Sequence, residues 1–136
     1  MSMSVGVTPA LAIAARPDCL APDSSPNELH LPENGKIVTF TTRTPVATEI
    51  ASGAPLLVDV EFDRGHALYA LSQGHFTPGH PEGSPADPNI GALESVHRDR
   101  TMTPVVTGLN QPTSLEFIHD TAYIVTLNGE VWPVDS

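Results

Sequence analysis

Asp59 and Glu61 lie in Leu56-Leu57-Val58-Asp59-Val60-Glu61-Phe62, a segment whose C-terminal part alternates between apolar and acidic residues. A period of two puts Val58, Val60 and Phe62 on one face of a strand and both carboxylates on the other. Carboxylate oxygens suit hard cations, which makes Asp59 and Glu61 the candidate metal ligands. They equally suit a solvated strand face. Six histidines form the second group: His30, His66, His75, His80, His97 and His119. The closest pair, His75 and His80, has a spacing that matches no helical or zinc-finger pattern. His66 and His119 fall near corresponding turns, which suggests exposed positions on one rim. The single cysteine, Cys19, has no partner for an intramolecular disulfide and no neighbouring histidine or basic pair to activate it. No catalytic residue emerges, because the chain lacks a Ser-His-Asp order, a nucleophile elbow, a phosphate loop and a dinucleotide fingerprint.

The surroundings of these residues are acidic and rich in turn formers. The 136 residues include 16 Asp and Glu against 6 Lys and Arg, a net charge of −10. Such a surface repels phosphate backbones and anionic lipid headgroups, which argues against nucleic acid as a partner. No apolar run approaches the roughly 20 residues that span a bilayer. Val5 to Ala15 is apolar, but no Lys or Arg precedes it and Pro9 interrupts it, so it makes a poor secretory leader. With 14 Pro and 10 Gly, the chain favours short strands and turns over long helices.

Residues 1–33, with five prolines, read as an extended or disordered lead-in, with a short helix over Pro9–Ala15 as one option. The region 34–136 reads as a β domain. Strands are expected over 36–41, 46–51, 56–62, 67–72, 91–98, 101–107, 114–119, 122–127 and 130–134. Asp63-Arg64-Gly65-His66 is expected to turn with Gly65 at a positive φ, and Asn128-Gly129 is a hairpin turn. Asp63, Asp99 and Asp120 fall in turns, where Asp bonds local backbone. Residues 73–90 carry four prolines and three glycines and form a long loop, the best candidate for recognition.

The strands recur. ASGAPLLVDVEF at 51–62 aligns with VTGLNQPTSLEF at 106–117, ALYAL with TAYIV, and NGKIVTF at 34–40 with IGALESV at 90–96. A period near 55 residues with four strands per unit predicts propeller blades. The fold expected is therefore all-β, a partial β-propeller with one complete four-stranded blade flanked by two incomplete ones. Blades bury their faces against neighbours, so so few of them would leave apolar faces for self-association.

VDVEFDRGHALYALSQG, PEGSPADPNIGAL and GLNQPTSLEFIHDTAYIVTLNGEVWPV resemble the closing portion of the ScyD/ScyE family of β-propeller proteins, within the NHL-like and gluconolactonase-like propellers. The resemblance covers about residues 33–134. It implies an exported protein and a non-enzymatic binding or scaffold role toward a protein or small-molecule ligand. It also implies a possible calcium site near the channel, at Asp59 and Glu61. A metal-dependent hydrolase of lactonase type is the alternative by fold analogy, and a non-functional fragment of a longer propeller is the second.

Overall fold

A computed structural model describes residues 10–14, 35–40, 48–75, 77–79, 81 and 84–135. They form ten strands and no helix, arranged as three open antiparallel sheets. Sheet A holds β1 (Ala10–Ala14), β2 (Gly35–Phe40) and β3 (Thr48–Ala54), in that spatial order. Sheet B is a four-stranded meander of β4 (Leu57–Phe62), β5 (Leu68–Ser72), β6 (Gly91–Val96) and β7 (Met102–Leu109). Sheet C is the meander β8 (Pro112–Ile118), β9 (Thr121–Thr126) and β10 (Val131–Asp135).

The lead-in supplies a strand. Ala10 to Ala14 pairs antiparallel with β2, from Ala10↔Phe40 to Ala14↔Lys36. The short helix considered for Pro9–Ala15 is therefore absent across Ala10–Ala14. So short a helix meets the full nucleation cost, whereas the edge of β2 offers a ready ladder. The strand expected at 46–51 is shifted to Thr48–Ala54, with residues 46 and 47 outside the described set. The remaining strands lie within two residues of their expected bounds.

The two central strands of sheet B are buried on both faces. Leu68 and Ala70 join Ile37, Ala51, Ala54 and Leu57 in one core between sheets A and B. Leu71 and Leu93 point the other way and join Leu109, Leu115, Ala122 and Ile124 in a second core against sheet C. The period of two along β5 thus feeds two cores from one strand. Tyr69 and Phe117 meet across the second core with ring centroids 5.0 Å apart, tilted by 46°. Pro104 and Pro133 occupy the outermost strands of sheets B and C, where a missing N–H need not break a ladder bond.

Three hairpins turn by one device. In each, the first residue accepts a hydrogen bond from the N–H three residues on, and its own N–H donates to the carbonyl four residues on. The residue in the left-handed region is His66 (φ 66°), Arg100 (φ 73°) or Gly129 (φ 86°). This is a type I turn closed by a left-handed residue. Gly65, expected to carry the positive φ, does not. The turn geometry sets the left-handed position one residue later, at His66, and the Asp63 carboxylate secures it by accepting the Ala67 N–H at 2.8 Å.

Glu94 is the one acidic side chain among the buried polar residues described, at 8% exposure. Strand alternation puts it on the face of β6 shared with Val96, toward sheet A. Burial pushes its carboxyl above the ordinary value of 4.5. The folded state then holds the proton more tightly than the unfolded chain. Its contribution to stability is therefore lost as pH rises from about 4.5 through the folded value. Glu94→Gln is expected to raise the urea midpoint at pH 7, with the gain shrinking toward zero near pH 4. A gain equal at both pH values would contradict this.

Candidate functional site

The junction of β4 and β8 carries the acidic residues singled out above. A bulge between Leu57 and Asp59 resets the alternation of β4. Val60 therefore packs on the core with sheet A, whereas Asp59 reaches sheet C. Val58, expected on the Val60 face, stands in the bulge and is exposed. Asp59 Oδ1 accepts the N–H of Val60 at 2.9 Å, and Oδ2 accepts the N–H of Leu115 at 2.8 Å. One carboxylate thus ties the first strand of sheet B to the first strand of sheet C. Glu61 and Glu116 lie close enough to interact. Burial pushes the Glu61 carboxyl above its ordinary value, and the charges of Glu116 and Asp59 push it the same way.

This arrangement is a structural tie beside a second carboxyl that burial and like charge hold toward its neutral form. Among the described residues, no group of three or more His, Cys, Asp or Glu is placed to hold a metal ion. Asp59→Ala leaves the Leu115 N–H without its charged acceptor. The variant is expected to lose about 2 kcal/mol in urea unfolding. The Glu61 carboxyl should then titrate closer to 4.5 by NMR. An unchanged urea midpoint would show that the tie contributes nothing.

At the opposite end of β5 from its hairpin turn, the 73–90 loop is clamped at its base. The Ala86 N–H donates to Gln73 Oε1 at 3.1 Å, and the Ala86 carbonyl accepts Gln111 Nε2 at 2.6 Å. Gln73 Nε2 also donates to the Pro112 carbonyl at 3.2 Å. Two glutamines, one just after β5 and one just before β8, therefore hold both backbone groups of one residue, and Ala86 is buried beneath them. Sequence reasoning passed over both, because a lone glutamine beside a strand carries no pattern.

Among the described residues, the histidines do not converge as a group of three or more. His30 and His80 lie outside the described residues. His75 is exposed in the loop. His66 and His119 are both exposed and both left-handed, at φ 66° and 57°. His66 and His97 both line a groove of about 660 Å³ between the start of β3 and the β4–β5 and β6–β7 turns. Arg98 and Arg100 line the same groove, and sequence reasoning missed them. Asp99 behaves as expected of a turn residue, accepting the Thr101 N–H at 3.1 Å and its hydroxyl at 2.5 Å.

No protein-family model, no curated protein and no solved structure matches this chain significantly.

Proposed function

We propose that this chain is a non-enzymatic binding or scaffold module, built as part of a β-propeller of ScyD/ScyE type. The observation that supports it most is the recurrence of backbone irregularities at a spacing of 55 or 56 residues. The β2–β3 ladder shifts register after Gly35 and after Ile37, and the β6–β7 ladder shifts after Gly91 and after Leu93. The β4–β5 ladder is bulged between Leu57 and Asp59, and the β8–β9 ladder between Pro112 and Ser114. Leu56 (φ 39°) and Gln111 (φ 47°) are both left-handed, as are Gly53 (φ 108°) and Gly108 (φ 78°). The carbonyls of Leu56 and Gln111 each accept a 2.9 Å bond, from the N–H of Gln73 and of Leu127. Bulges and left-handed residues are position-specific devices, so their shared order favours one unit used twice over chance likeness of two hairpins.

On this reading sheet B is the complete blade, and the clamped 73–90 loop is its recognition element. A rigid β scaffold that presents an anchored loop suits binding. The alternative, a metal-dependent hydrolase, would have Asp59 and Glu61 as ligands. Calorimetric titration with calcium, paired with a lactone hydrolysis assay, separates the two. The scaffold reading expects neither saturable calcium binding nor turnover. Calcium-dependent turnover that Glu61→Gln abolishes would overturn it.

A further inference from the structure

The groove between sheets A and B is lined by two arginines, Arg98 and Arg100, on an acidic protein. The chain has only six Lys and Arg, and four of them are among the described residues: Lys36, Arg64, Arg98 and Arg100. Lys36 is taken up by Glu49, at 2.8 Å. That pairing, a hydrogen bond with Ser52 and the charge of Arg100 hold the Glu49 carboxyl, which also lines the groove, below its ordinary value. Arg98 and Arg100 line the groove and make no ion pair among the described residues. Arg64 belongs to the β4–β5 turn that forms one wall. The acids of the two turns are directed into their own backbone: Asp63 caps Ala67, and Asp99 caps Thr101. Both arginines are exposed, and the turn carboxylates are engaged locally, which leaves Glu49, already paired with Lys36, as the acid that lines the groove with them.

The walls are of mixed character. Phe62, 48% exposed, and Ile50 supply apolar surface. His66 supplies a ring nitrogen, and His97 is steadied by Thr103 Oγ1 at 2.9 Å from its Nε2. Two arginines and an exposed aromatic ring lining one groove suit a planar organic anion. The carboxylate takes the guanidinium forks, and the body lies on the aromatic and aliphatic wall. We infer that this groove binds a small organic carboxylate with an apolar, planar body. The inference uses only the groove and stands whether or not the sheets are propeller blades.

The test uses 2-naphthoate and its uncharged analogue 2-naphthamide, each titrated into the ¹⁵N-labelled chain at low salt. Naphthoate is expected to shift amides at residues 48–50, 65–68 and 96–100, and to bind at least about tenfold more tightly than the amide. The double variant Arg98→Gln, Arg100→Asn should lose at least that factor while keeping its amide spectrum elsewhere. Asparagine is chosen at 100 because it tolerates the left-handed backbone there. Equal affinity for acid and amide would overturn the inference. So would undiminished binding by the double variant, shifts centred on another surface, or no binding of naphthoate.

Discussion

Gly91→Ala is expected to cost about 3 kcal/mol, near the upper end of what overpacking by one methyl group does. A Cβ at residue 91 would stand 2.5 Å from Pro112 Cδ, 2.7 Å from Pro112 Cγ and 2.9 Å from the Leu109 carbonyl oxygen. Neither obstacle yields cheaply. The proline ring is rigid and fully buried, and the carbonyl belongs to the strand paired with Gly91. Relief requires moving the first strand of sheet C away from sheet B. Gly35 is the comparison, with Ala54 O at 2.8 Å and Leu57 Cγ at 2.9 Å. The Ala54 carbonyl is as unyielding as that of Leu109, but the leucine side chain can rotate where the proline ring cannot, so Gly35→Ala should cost somewhat less. Gly53→Ala controls for conformation alone, since its φ is 108° and no atom lies within 4 Å of the added carbon. Its cost should be about 1–2 kcal/mol. Urea unfolding of the three variants checks the order, and a Gly91 variant no worse than Gly53→Ala would contradict the close sheet contact.

Ile124→Ala should remove about 4 kcal/mol. Ile124 is at 0% exposure in the middle of β9, and it shares the second core with Leu71, Leu93 and Leu115. Truncation loses three carbons of burial and opens a cavity between two sheets that Asp59 and the Gln73–Gln111 clamp hold together. Collapse into the space is therefore limited, which puts the cost in the upper part of the usual range. Ile124→Val should cost about 1 kcal/mol. Val131→Ala on the outermost strand, 58% exposed, should stay within about 0.5 kcal/mol. Chemical denaturation measures all three. Similar effects at 124 and 131 would mean that sheet C does not pack on sheet B.

Most strands were legible because their chemistry is local. Val60 and Phe62 against Asp59 and Glu61 announce a period of two, and Ala67 to Ser72 is a short apolar run that follows a turn. The pairing of β1 was not legible, since Ala10-Leu11-Ala12-Ile13-Ala14 has equal claim to a helix and only the open edge of β2 decides it. The left-handed residue at His66 was misplaced because Gly65 is the obvious candidate by type, whereas turn geometry chooses by position. The candidate site was legible as residues and not as a site. The partner of Asp59 is the N–H of Leu115, 56 residues away, and a backbone amide leaves no mark in sequence. The groove escaped for a similar reason. Ile50, His66 and Arg98 come from three separate segments that meet only when sheets A and B stack.

The stacking of sheet B between sheets A and C underlies the tie, the clamp and the groove alike. Methyl–methyl NOEs in a sample labelled at Ile, Leu and Val test it most directly. The account predicts contacts from Leu71 and Leu93 to Leu115 and Ile124, and from Leu57 and Leu68 to Ile37. Contacts confined to neighbours within each sheet, with none crossing between sheets, would contradict it.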